Sequence, residues 1–228
     1  MVNTYKYLFF IVLIFLIIVI VVQLQKGQSI GVLERAEFIG NQLLIHQGGK
    51  QIIRTLDDYK FKFDYYWYSY FSSKRRTSDL SKYVTPNHES IKEYTDFIKF
   101  KAKGENLEDF NLIEKIVEFI QRFDYIKDAK INFDDYPKYP IETIVEENGD
   151  CEDTSILLAT LLESFGFDAI LVKFSDHVGV GLNCDDCDGV NFEFNGNKYY
   201  YIETTGPNWE IGQLPENYIG QKAILIPV

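Results

Sequence analysis

The chain has 228 residues, enough for one domain with a sizeable core plus an appendage. Its net charge of −11 and pI near 4.8 exclude a nucleic-acid binder, because nothing in it would release counterions from a phosphate backbone. An aromatic fraction of 16% excludes a largely disordered chain.

After a tail at residues 1–6, the stretch YLFFIVLIFLIIVIVVQL (7–24) is apolar except for Gln23. At about 1.5 Å per helical residue it nearly matches a hydrocarbon core of about 30 Å, which predicts a transmembrane helix. A signal peptide has a shorter apolar region and a small-residue cleavage site, and QLQKGQSIG offers only a poor one. Lys6 precedes the span while Lys26 and Arg35 follow it, so positive charge barely sets the orientation. A short leader usually stays inside. That places the large domain outside the cytoplasm, held at the cell membrane by a single-pass anchor.

Residues 25–55 are expected to form a juxtamembrane helical segment. Val32, Ala36, Ile39 and Leu43 are spaced like one helix face, ended by Gly48-Gly49. The main domain follows over 56–228. It opens on YKFKFDYYWYSYF (59–71), where Tyr59, Phe61 and Phe63 alternate with Lys60, Lys62 and Asp64 as in a strand with an aromatic core face. Thr85-Pro86 then opens a helix that carries Ile91, Tyr94 and Ile98 on one side. A second helix starts at Asn106, with Asp109 three residues on, and turns Phe110, Ile113, Val117 and Ile120 inward. INFDDYPKYPIET (131–143) reads as a proline-punctuated loop.

VEENGDCEDTSILLATLLESFGF (145–167) carries the chemistry. Asp150 caps a helix that is apolar on several sides from Ile156 to Phe165 and is ended by Gly166. Cys151 therefore falls in the first turn, where unpaired amides and the dipole favour a thiolate. Glu146, Glu147, Asp150, Glu152 and Asp153 oppose that charge, so an imidazolium is needed nearby. DAILVKF (168–174), HVGVGL (177–182) and KYYYIETT (198–205) are predicted strands. Among His46, His88 and His177, His177 heads a strand that one intervening strand can bring back over the helix start. His46 lies near the membrane segment, and a surface role is the simpler account of His88. Asp176 should point away from the ring of its neighbour, so Glu203 on the next strand is the better orienting carboxylate.

CEDTSILLATLLESFGFDAILVKF, HVGVGL and YYYIETT, in that order, resemble the core of the transglutaminase-like superfamily over about residues 80–215. YPKYPIETIVEENGDCED and TTGPNWEIGQLP resemble its archaeal membrane-anchored branch. The resemblance implies an α+β fold related to papain, with an antiparallel sheet packed on the helix that begins at the catalytic cysteine. It also implies Cys151 as nucleophile, His177 as base and Glu203 as orienting carboxylate, where the family more often has Asp. The implied activity is acyl transfer on amide bonds of a protein or peptide, by a peptidase or amidase rather than a cross-linking transamidase, with no cofactor and no metal. Cys151's own N–H would serve the oxyanion, and Tyr136 and Tyr139 both stand as candidates for a second donor.

Cys184 and Cys187 form a CxxC inside NCDDCDGVNFEFNG (183–196), an acidic segment expected to join two strands. No second ligand pair completes a zinc site, the setting is wrong for a thioredoxin-like motif, and the calcium-loop pattern fails at its ends. A loop-closing disulfide or two unpaired thiols is the simpler reading. A non-catalytic surface binding module on the same fold competes with the enzyme reading. A cation-responsive structural protein built on the acidic loop is a third, weaker option.

Overall fold

The computed structural model describes residues 33–39, 42–47, 51–56, 59–105, 107, 109–127 and 136–228. The chain divides into two units, 1–50 and 51–228. In the first, β1 (Leu33–Ile39) and β2 (Gln42–Gln47) pair antiparallel, with Ala36 opposite Ile45 and Phe38 opposite Leu43. This corrects the expected helical segment at 25–55. The apolar spacing falls on two paired strands, and the Gly40-Asn41 dipeptide between them favours a tight hairpin over a continuous helix. The tail 1–6 and the predicted span 7–24 lie outside the described residues. Among the described residues, no helix is long and apolar enough to cross a membrane.

The second unit opens with β3 (Gln51–Leu56) and β4 (Tyr59–Asp64), paired so that Ile52 faces Phe63. Phe61 and Phe63 are buried while Lys62 and Asp64 are exposed, as strand alternation requires. The strand stops at Asp64, whose carboxylate accepts from the Tyr66 N–H at 2.9 Å and caps α1 (Tyr65–Ser72). A 3-10 turn at Glu89–Ile91 leads into α2 (Lys92–Glu105). That start lies later than Thr85-Pro86 suggests, because His88 is the residue whose ring Nδ1 accepts the Ser90 N–H. Next, α3 (Asp109–Ile120) buries Ile113, Ile116, Val117 and Ile120.

β5 (Asp124–Tyr125), α4 (Pro140–Glu146) and β6 (Asn148–Gly149) follow, with β5 and β6 paired in parallel. α4 begins inside the stretch 131–143 that reads as a proline-punctuated loop and runs three residues beyond it. Pro140 occupies the first turn, where its missing N–H costs nothing, and Glu142 accepts from the Tyr139 amide at 2.9 Å. Then comes α5 (Cys151–Ser164), nearly all of it buried. Gly166 follows it at φ +89°, a left-handed position that suits glycine at a helix end.

β7 (Ala169–Lys173), β8 (Val178–Asn183), β9 (Asn191–Phe194), β10 (Asn197–Ile202) and β11 (Ile224–Pro227) form one antiparallel sheet in the order β11-β7-β8-β10-β9. Ile156, Leu157, Leu158 and Leu161 of α5 pack in one core with Leu171, Val180, Leu182 and Ile202. Ile170, Val172, Phe174, Tyr199 and Tyr201 form a second core. The architecture is thus mixed helix and antiparallel sheet. On β8 the alternation of HVGVGL has a purpose beyond burial. A Cβ on Gly179 would lie 2.5 Å from the Tyr201 ring, so only glycine lets that ring lie across the strand.

Candidate active site

The start of α5 is fastened by contacts from its own first turn and from the segment before it. Asp153 accepts the Lys138 N–H at 2.7 Å through Oδ1 and the Asp150 N–H at 3.4 Å through Oδ2. The Lys138 ammonium lies 3.5 Å from Asp153 and 3.0 Å from Glu146. Burial works against that charge, but the two carboxylates hold the Lys138 pKa above its ordinary value. A Cβ on Gly149 would sit 2.6 Å from that of Asp153, so this tight return needs glycine as well. Thr154 and Ser155, in the same turn, reach Thr204 Oγ1 at 2.9 and 3.1 Å, and Ser155 Oγ donates to the Val178 carbonyl at 3.0 Å. Hydroxyl contacts therefore tie the cysteine helix to the first residue of β8 and to the segment just after β10.

Cys151 stands at this fastened end, 8% exposed. Its sulfur faces the Val178 amide N–H, which follows His177 directly in the chain. Its thiol donates to Glu152 Oε2 at 3.1 Å. Burial pushes the thiol pKa well up, and the Glu152 charge, the hydrogen bond to it and the Asp150 charge push further. Only the Val178 amide pulls the other way. The magnitudes explain the direction. A helix start is worth about half a unit of positive charge, against two full carboxylates. The balance favours a protonated Cys151 sulfur.

His177 is set by its hairpin. The Phe174 N–H donates to the His177 carbonyl at 2.8 Å, leaving Ser175 and Asp176 at the turn between β7 and β8. The imidazole Nε2 meets Glu203 Oε2 at 2.8 Å, and its other face stacks on Tyr218 at 5.0 Å between ring centroids and 10° between planes. Nδ1 is the ring nitrogen left over. Glu203 follows β10 and has a side chain 1% exposed. Tyr201 Oη shares Oε2 at 3.0 Å, while Thr204 N–H, Thr205 N–H and Thr205 Oγ1 donate to Oε1 at 3.0, 2.9 and 2.6 Å. Burial raises the Glu203 pKa, yet His177 and the Thr205 donors outweigh it and hold the carboxyl below its usual range.

The remaining sequence candidates fall elsewhere. Asp176 is exposed and accepts a hydrogen bond from the Ser175 hydroxyl. His46 lies on β2. His88 is partly exposed. Its ring is half-buried against Trp67 and Phe71, and burial lowers its pKa. Tyr136 is bound to Arg76 and Glu142, and buried Tyr139 packs on Phe71 and Tyr83, so both candidate oxyanion donors are committed to the scaffold. Cys184 and Cys187 are joined by a disulfide, and Cys151 is free. Among the described residues, the acidic segment 183–196 brings no three ligand groups together, whereas Asp150, Cys151 and Glu152 bring theirs within 4.8 Å of one another.

Several positioning residues escaped the sequence reading. Gln121, just past α3, donates to the carbonyls of Glu203 and Trp209 at 2.9 and 3.0 Å. No local pattern announces it. Tyr201 was within reach, because residues two apart on a strand share a face and Tyr201 precedes Glu203 by two. Tyr218 comes from a 3-10 turn at Glu216–Tyr218, far along the chain.

No family model matches the chain, and no curated protein does. Among solved structures it is similar to a crystal structure described as a "Putative Cysteine Protease from Cytophaga hutchinsonii", at 14% identity and a TM-score of 0.36. The alignment covers 57% of this chain and 43% of that one, so the chain spans less than half of that protein. A likeness this distant carries no weight for the site, which stands on its own geometry.

Proposed function

We propose that this chain is a cysteine acyl-transfer enzyme of the transglutaminase-like, papain-related kind, with Cys151 as nucleophile, His177 as base and Glu203 as the orienting carboxylate. One observation carries the reading. A buried carboxylate takes Nε2 of His177 at 2.8 Å, which leaves Nδ1 for a sulfur that already faces the next amide in the chain. A surface binding module has no physical need for that arrangement.

In this reading the sulfur attacks the carbonyl carbon of an amide in a protein or peptide while its proton passes to His177 Nδ1. The oxyanion rests on amides at the start of α5, including that of Cys151. Glu203 stabilises the imidazolium, which returns its proton to the departing amine. Water then releases the thioester in a peptidase or amidase, or an amine does so in a transamidase. Residues 7–24 would hold the domain at the cell membrane, on its outer side. Deleting them should move the protein from the membrane fraction to the soluble one, and unchanged fractionation would remove the anchor.

Iodoacetamide tests the site. Labelling of Cys151 at neutral pH should slow by about 10²-fold or more in His177→Ala, the range expected on losing a positioned general base. Equal rates in both proteins would sink the enzyme reading and favour the binding module.

A further inference from the structure

The role of Glu152 rests on the function proposed above and extends it to the substrate. We infer that Glu152 is a positioning residue that keeps the nucleophile protonated at rest, and that a cationic group on the substrate releases it. The bond from Cys151 Sγ to Glu152 Oε2 is 3.1 Å. An ionised carboxylate only accepts, so this bond lasts only while the sulfur carries its proton. Cys151 is buried but Glu152 is partly exposed, so an incoming ligand reaches the carboxylate first.

The surrounding groups do not relieve the sulfur. Asp150 and Glu152 act on it from its own helix, Tyr125 from β5, Tyr201 from β10 and Tyr218 from the turn that stacks on His177. These are carboxylates and phenols. The Val178 N–H from β8 is the group of opposite tendency.

An ammonium or guanidinium placed beside the scissile amide supplies what the site lacks. It binds the Glu152 oxygens through charge-assisted hydrogen bonds, withdraws that acceptor from the thiol and cancels its charge. The S–H bond then breaks, an N–H bond forms at His177 Nδ1, and Glu203 holds the resulting cation. Substrate binding and nucleophile activation become one event, and the substrate class is a peptide bearing lysine or arginine next to the cleaved bond.

Two methanethiosulfonate probes, one ending in a primary ammonium (aminoethyl) and one in sulfonate (sulfonatoethyl), test this on the full chain, alongside iodoacetamide rates over about pH 5–10. The cationic probe should react at least about tenfold faster than the anionic one in the wild type, because one unit of pKa is tenfold in thiolate. In Glu152→Gln that preference should collapse and the iodoacetamide midpoint should fall, while Glu152→Asp keeps the preference. A wild-type ratio near one overturns the proposal whatever the variants do, and so does a Glu152→Gln protein with unchanged ratio and midpoint. If His177→Ala slows labelling while Glu152→Gln changes nothing, only the Glu152 role fails. If His177→Ala also changes nothing, the Cys151–His177 reading fails with it.

Discussion

Glu203 and Cys151 stand at the two ends of the candidate site, and burial acts on them in the same direction. Both groups are acids, and removal from water raises both pKa values. Yet the carboxyl ends below its ordinary value and the thiol well above. The difference lies in their immediate partners. Glu203 is surrounded by N–H and O–H donors from His177, Tyr201, Thr204 and Thr205. Cys151 has one amide on its side and two carboxylates against it. With both groups buried, the balance of donors and acceptors sets the charge. Burial with these partners favours a proton on the Cys151 sulfur and a negative charge on Glu203, whose carboxylate holds the imidazole of His177.

Removing the carboxylate should break this contrast most strongly. Glu203→Gln keeps the size but leaves His177 without an anionic partner, and iodoacetamide labelling of Cys151 should slow by about 10²-fold. The same variant changes the pH dependence of stability. Because the folded pKa of Glu203 is the lower one, its contribution is full above the unfolded pKa and is lost as pH falls through the folded value. Urea midpoints followed down to about pH 3 should therefore drop less steeply in Glu203→Gln than in the wild type. Parallel curves would mean that the Glu203 pKa does not differ between the folded and the unfolded protein.

The support behind the carboxylate gives a smaller effect. Gly179→Ala places a Cβ 2.5 Å from the Tyr201 ring and hydroxyl, inside a filled core. The ring must move away from Glu203, at a cost of about 1–3 kcal/mol in urea unfolding. An unchanged midpoint would show that β8 and β10 separate easily, which their paired register of Gly181 with Tyr201 and Val180 with Ile202 argues against. Tyr201→Phe should do least, about 1 kcal/mol, since it deletes one donor from a carboxylate that keeps several others. A loss as large as that of Gly179→Ala would make the hydroxyl, rather than the ring's packing, the anchor of this corner.

Much of the region from Asp150 to Ile202 was legible in the residues. Apolar runs, strand alternation, the residue before Cys151 and Gly166 after the helix are all short-range signals, and they place α5, β7, β8 and β10 close to where they lie. The same kind of signal misled at residues 33–47, where helical spacing of apolar residues coincided with two strands. It was overlooked at Asn195-Gly196, whose positive φ values of 51° and 86° close the β9–β10 hairpin inside a segment that had been read for ligand chemistry. Two prolines conceal α4, because Pro140 reads equally as a break and as a helical first turn. β11 escaped altogether, since its pairing with β7 joins residues about fifty positions apart.

The sequence by itself determined which groups are present, their order, and the local elements that carry them, because caps, turns and periodicity act over a few residues. Only the tertiary structure decided what those groups do to one another. The charge on Glu203, the stacking of Tyr218 on His177 and the hold of Gln121 on the Glu203 backbone all depend on contacts between distant stretches. Charge and hydrogen bonding act through space, and in a buried site the nearest partner, whatever its place in the chain, sets the chemistry.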